Sequence, residues 1–293
     1  TCFGQILIKT RYGRQLRSTS NANVVLAGVS RMLRNRVYTA LALAAAAAMT
    51  IFWASFWLFA MIFGVACCFA AYEWAALAGW QVLRQRLCYV ASLVVLMLLS
   101  LTQQGYWLEI VILSCFVWLA GFFSILVHPR TSAIYQSRWF IASLGWILLL
   151  CAWFSLLTLF QLDNGRLWVF WLFVLTTATD VGAFFLGRAF GQHALAPQIS
   201  PGKTREGAGG GLLLALMVCV PLLLLSGALD FYASIGLTIM MSIVSIFGDL
   251  FESLLKRVSG IKDSGALLPG HGGLLDRIDS IIAVVPFLVW SLA

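Results

Sequence analysis

Charge is what this 293-residue sequence has least of: 10% of its residues are charged, and 61% are hydrophobic. A soluble globular domain carries about 25% charged residues and has no core large enough for so much apolar surface. That composition excludes an ordinary soluble fold and leads us to expect an all-α, polytopic integral membrane protein. Seven cysteines are present without one C-x-x-C spacing, and Cys67, Cys68, Cys88, Cys115, Cys151 and Cys219 lie in or beside apolar runs. They read as small buried hydrophobes, not as a metal or redox motif. The net charge is +8, yet no stripe of basic residues exists to carry it. Lys and Arg are scattered over short loops, which argues against nucleic acid as a partner. No repeat of fixed period appears either.

What is present is a series of apolar runs. Nine are long enough to be read as membrane spans, at about 35–52, 54–78, 87–102, 106–127, 139–160, 167–187, 208–228, 231–256 and 278–293. The first two are separated only by a plausible turn at Trp53 to Phe56, and the third and ninth are short. Residues 1–31 lack a long apolar run, and Met32 opens a basic start that feeds directly into a hydrophobic helix. We therefore expect 1–31 to be an extension and 32–293 a single membrane-embedded domain, with no cleaved signal peptide.

Loop charge supports this count. With the Met32 end in the cytoplasm and the spans alternating, fourteen of the nineteen basic residues fall inside and only Arg166 falls outside. The rest lie in the N-terminal tail. Such a bias is what the positive-inside rule expects. The two longest polar connections, about 188–207 and 257–277, then both face the cytoplasm.

Against this oily background one stretch stands out. Gly248 to Ser280 holds five of the eleven acidic residues and four of the nineteen basic ones. Asp249, Glu252 and Lys256 are spaced i, i+3, i+7 and share one helix face, and Asp276 and Asp279 open the last span. Acids at a helix N-terminus are ordinary partners of its dipole. Near a helix C-terminus they are not, so Asp249 and Glu252 need another explanation. Carboxylates converging from two helix ends suit a hard cation such as Mg²⁺. Lys256, Arg257, Lys262 and Arg277 lie beside them, and Gly270, Gly272 and Gly273 allow tight turns. This is the chemistry of polyphosphate handling: a metal bridging phosphate oxygens and cations neutralising charge. His271 can act as a general acid or phosphate donor, or simply bond its own loop.

A second constellation covers 179–207. Asp180 lies within an apolar run, where a carboxylate is costly and marks function. Lys203, Thr204, Arg205 and Glu206 precede the small-residue start Gly207 to Gly211. The PGKT run is not a P-loop: Pro197 occupies the position of the first glycine, and no strand is expected before it. A basic loop entering a helix can still bind an anion. Glu73 and Glu109, isolated acids at span ends, read as interfacial or packing residues.

The run S-L-L-K-R-x4-K-D-S-G-x3-P-G-H-G-G-x-L-D-R-x-D, from Ser253 to Asp279, resembles the signature of the phosphatidate cytidylyltransferase (CDP-diacylglycerol synthase) family. GDLFES, ISPGKTREG and TDVGAFFLGR are similar to it as well, and the likeness covers about 32–293. It implies transfer of CMP from CTP to phosphatidate, giving CDP-diacylglycerol and pyrophosphate for phospholipid synthesis, at a bacterial-type inner membrane. By the same analogy Asp249 and Asp276 are metal ligands, with Asp279 and Glu252 next. Lys256, Arg257, Lys262 and Arg277 hold phosphates, while Asp180, Lys203 and Thr204 close the site opposite, beside the Gly272–Gly273 backbone. Mg²⁺ is the implied cofactor; the resemblance also implies a homodimer, which the residues do not show, and the sequence leaves open whether a second, monovalent cation completes the site. An ion-coupled transporter would instead place charges near the midplane in repeated halves, and a CTP-dependent lipid kinase would release CDP. If the native chain starts at Met32, N-terminal sequencing of protein from its own membrane yields that end; peptides from residues 1–31 overturn the expectation.

Overall fold

A computed structural model describes residues 45–102, 104–129, 131, 133–261, 264–265 and 273–293. Residues 45–53 are helical, and eight further α-helices follow: α1 (Phe56–Leu77), α2 (Leu83–Ser100), α3 (Trp107–Leu126), α4 (Arg138–Gln161), α5 (Gly165–Phe190), α6 (Arg205–Ser226), α7 (Phe231–Val258) and α8 (Leu275–Leu292). The protein is an all-α polytopic membrane protein. Helices α1 to α7 are each long and apolar enough to cross a membrane. The eighth corresponds to the expected ninth span but carries Asp276, Arg277 and Asp279 in its first two turns, so by composition it is less apolar. Most of the expected first span lies outside the described residues. The third span is a full 18-residue helix that takes in Arg84 and Arg86 at its start.

Helix starts follow local chemistry. The expected turn near Trp53 is real: Ser55 caps α1 by accepting the Leu58 N–H at 3.4 Å. Ser137 and Asp230 cap α4 and α7 in the same way, accepting from Phe140 and Ala233. Arg166, the basic residue that the loop-charge count expects outside, donates to the carbonyls of Ile51 and Ala54 at 2.8 and 3.0 Å. A cation at carbonyls left over at a helix end is favourable in charge and in hydrogen bonding.

The core of the unit from Thr50 onward lies between α4 and α8. Ile282 to Val289 are buried without a break, so this stretch of α8 is enclosed on all sides, and the helix packs on α1, α3, α4, α5 and α7. Outer helices show apolar side chains instead, among them Trp57, Phe116 and Leu225, as lipid contact requires. Buried tryptophans tie helices together through their N–H groups: Trp74 to the Ile141 carbonyl at 2.7 Å and Trp153 to that of Ala60 at 3.1 Å.

The 188–207 connection departs from expectation. Two strands, β1 (Ala194–Ala196) and β2 (Ser200–Thr204), pair antiparallel, with Ala194 opposite Thr204 and Ala196 opposite Ser200. A strand therefore does precede PGKT, and PGKT itself is part of one. The glycines that follow serve close packing. Gly207, Gly210 and Gly211 pack against Gly187, Gly182 and Thr179 of α5, bringing two backbones into contact. A Cβ at Gly182 would sit 2.5 Å from the Gly210 carbonyl oxygen, whereas one at Gly209 would meet nothing within 4 Å. Gly182→Ala is expected to cost about 1–3 kcal/mol and Gly209→Ala to stabilise by about 0.5–1 kcal/mol, read as opposite shifts of the thermal midpoint in detergent.

Candidate active site

The charged residues gather where α7 ends and α8 begins. Gly248 lets α7 approach α8 closely, against Ala283 and the backbone of Asp279. That approach carries Asp249 and Glu252 to Asp279, and one oxygen from each of the three carboxylates lies within 4.8 Å of the others. Glu252 and Asp279 are buried, at 4% and 8% exposure, while Asp249 is half-buried. Glu252 Oε1 has no hydrogen-bond partner among the described residues. Three carboxylates crowded this closely repel one another unless a cation or a shared proton compensates, and an all-oxygen set with a spare buried acceptor fits a hard divalent ion.

Asp276 is placed differently from the other acids. It accepts from Lys256 Nζ at 2.9 Å and from the backbone N–H groups of Ser264 and Gly273 at 3.4 and 3.2 Å. Lys256 also donates to Glu252 at 3.0 Å. This lysine thus joins α7, one turn beyond Glu252, to the first turn of α8. The i, i+3, i+7 face is real, but it holds the two helix ends together as well as presenting acids.

From the other side comes the β-hairpin. Lys203 Nζ lies 2.6 Å from Asp249 and 3.3 Å from Ser253 Oγ. Arg257 anchors the hairpin to α7 through its Nε, which donates to the Ile199 carbonyl at 3.1 Å. Thr204 spends its hydroxyl on the Gly207 N–H at 3.1 Å, capping α6. Next to it, Glu206 accepts from the Gln192 and His193 N–H groups and pairs with His193 Nδ1 at 2.6 Å.

These elements enclose a cavity of about 490 Å³ lined by Asp180, Lys203, Thr204, Asp249, Arg277 and Asp279, with Asp276 also on its wall. Acids from α5, α7 and α8 and cations from β2 and α8 therefore face one space. Lys262, His271 and Gly272 lie outside the described residues. Gly273 is at the edge of the site through its N–H on Asp276.

A family model for the cytidylyltransferase family matches residues 34–293. The chain belongs to the cytidylyltransferase family. Among curated relatives, the phosphatidate cytidylyltransferase of Pseudomonas aeruginosa is 38% identical over 278 residues, 89% of this chain and 98% of that protein. That of Haemophilus influenzae is 32% identical over 279 residues, covering 87% and 97%. One from Bacillus subtilis is 42% identical over a shorter stretch of 130 residues, 44% of this chain and 48% of its own.

In this cytidylyltransferase-family chain Glu73, read as an interfacial or packing residue, is a buried packing acid at the start of α8. Glu73 is 2% exposed, and its Oε2 accepts from the Leu275 N–H at 2.8 Å and from Ser264 Oγ at 3.4 Å. Its partners are some two hundred positions away, so no local spacing announces it. The available signal is an acid beside Ala70 and Trp74 in an otherwise uncharged helix. Lys256→Met leaves Glu252 and Asp276 without their shared cation. We expect it to cost about 3–5 kcal/mol of stability, seen as a lower unfolding midpoint in detergent; an unchanged midpoint refutes the linking role.

Proposed function

We propose that this protein is a phosphatidate cytidylyltransferase that transfers CMP from CTP to phosphatidate, with Mg²⁺, at the cytoplasmic face of a bacterial-type inner membrane. The observation that carries the reading is the cavity where the carboxylate cluster meets Lys203 and Arg277 at the ends of spanning helices. The family membership and the full-length likeness to two phosphatidate cytidylyltransferases support the same conclusion. Loop charge supports the cytoplasmic orientation.

In this reaction an oxygen of the lipid phosphate attacks the α-phosphorus of CTP. The new P–O bond forms as the bond to the β-phosphate oxygen breaks, and pyrophosphate leaves. A phosphate monoester is largely ionised near neutral pH, so the attacking group needs no strong base. The work left to the protein is positioning and charge neutralisation. Asp249, Glu252 and Asp279 would hold the metal, which when bound supplies Lewis-acid stabilisation of phosphate charge. Asp276 serves through Lys256 and the 264–273 backbone and stands as a further ligand. Lys203 and Arg277 draw phosphates into the cavity, with Lys256 behind them and Asp180 on the α5 wall. Arg257 secures the hairpin, and Lys262, His271 and the Gly272–Gly273 backbone complete the phosphate-binding side. Thr204 holds the start of α6 at the cavity edge. A homodimer and a second, monovalent cation belong to the same proposal through the family likeness.

Purified protein with Mg²⁺, labelled CTP and phosphatidate is expected to form CDP-diacylglycerol and pyrophosphate, and chelation should stop the reaction until Mg²⁺ is restored. Asp249→Asn should lower the rate by about 100-fold or more, the scale set by losing transition-state charge stabilisation. Release of CDP in place of pyrophosphate would identify a lipid kinase, and wild-type turnover by Asp249→Asn would remove the metal assignment.

A further inference from the structure

Helix α8 begins without a cap of its own. Leu274 stands at the position where Ser, Thr, Asn or Asp would normally accept a first-turn N–H, and it has no polar side chain to do so. The helices α1, α4, α6 and α7 all have such a residue. At α8 the missing acceptor comes from another helix: the Glu73 carboxylate, from α1, receives the Leu275 N–H at 2.8 Å. A negative charge there also opposes the positive end of the α8 dipole.

The same carboxylate holds the chain ahead of α8. Ser264 Oγ donates to it at 3.4 Å, and Gly265 and Gly273 lie so close that neither could carry a Cβ without striking Glu73. Ser264 and Gly273 in turn donate their N–H groups to Asp276. Two acids, one from each side, therefore tie Ser264 and Gly273, both within the signature run, to the start of α8. Glu73 is itself firmly set. Its neighbour Trp74 is hydrogen-bonded to Ile141, and Ala70, Ala71 and Ala75 are fully buried around it.

Asp276, Arg277 and Asp279 follow within the next turn and line the cavity. We infer that Glu73 is a positioning residue: a cap supplied across the bundle that fixes the first turn of α8, and through it the acids and the arginine that meet the nucleotide phosphates. This rests on the cytidylyltransferase reading of the site. Glu73 is not among the residues lining the cavity, so its effect passes through the geometry of α8.

Hydrogen exchange on metal-free protein tests the cap directly. In Glu73→Ala, amides at the start of α8 are expected to exchange about ten-fold faster, the local opening expected when a cap is lost, while α5 and α6 stay unchanged. In steady-state assays Glu73→Ala should raise the CTP KM about five-fold or more and leave the phosphatidate KM within about two-fold, a split that mere loss of folded protein cannot produce. Glu73→Gln keeps an acceptor for Leu275 and should recover most of the affinity for CTP. Ser264→Ala removes the second tie without disturbing α1 and should shift the CTP KM in the same direction, which decides the matter if Glu73→Ala does not fold. Unchanged exchange at α8, or equal shifts in both KM values, overturns the inference. Asp249→Asn run alongside separates the two readings: if it is inactive while the Glu73 and Ser264 variants match wild type, the clamp fails and the site stands; if it is fully active, the site reading itself fails.

Discussion

Lys256 sits between Glu252 and Asp276, and the arrangement of the whole charged end depends on that contact. Glu252 belongs to the last turns of α7 and Asp276 to the first turn of α8. Both helices would otherwise bring bare carboxylates together at the edge of an apolar bundle, where charge is poorly screened. The lysine converts a repulsive meeting into a joint. Once it is made, Asp249 and Asp279 can approach Glu252, and Lys203 can reach in from the hairpin to Asp249.

A second constraint comes from the apolar surroundings, which punish every unsatisfied polar group. The response is visible at the helix ends. Arg166 takes up spare carbonyls, and serine, threonine and aspartate caps start α1, α4, α6 and α7. Where α8 lacks a cap, a glutamate from α1 supplies it. Dense close packing between α5 and α6 serves the same site. Glycine-to-glycine contact draws the two backbones together, so that Asp180 and the hairpin reach the cavity from one rigid pair. The proposed reaction suits this place, since a water-borne nucleotide and a membrane-borne lipid can meet only at the ends of spanning helices.

Much of the fold is legible in the sequence. Apolar run lengths locate the helices, and α4 and α7 begin and end within about two residues of expectation. Helical spacing alone is enough to put Asp249, Glu252 and Lys256 on one face. Three features are not legible there. PGKT looks like a loop but pairs as a strand, because the pairing partner Ala194–Ala196 is too short and too plain to signal itself. Gly207, Gly210 and Gly211 look like no more than a small-residue helix start; they are a packing seam, because only the position of α5 decides what faces them. Asp276, ranked ahead of Asp279 as a metal ligand by the family likeness, turns to Lys256, while Asp279 joins the carboxylate cluster.

Composition and span length by themselves determined that this is a helical membrane protein, because those properties are set by transfer from water to lipid, residue by residue. The charged signature also determined the class of chemistry, since carboxylates, cations and glycines at that spacing suit phosphates wherever they sit. Tertiary structure alone decided which acid pairs with which cation, and that Glu73, far away in the chain, bonds to the start of α8. Those choices turn on hydrogen-bond distances between separate helices, and a linear pattern holds no information at that range until the helices have packed.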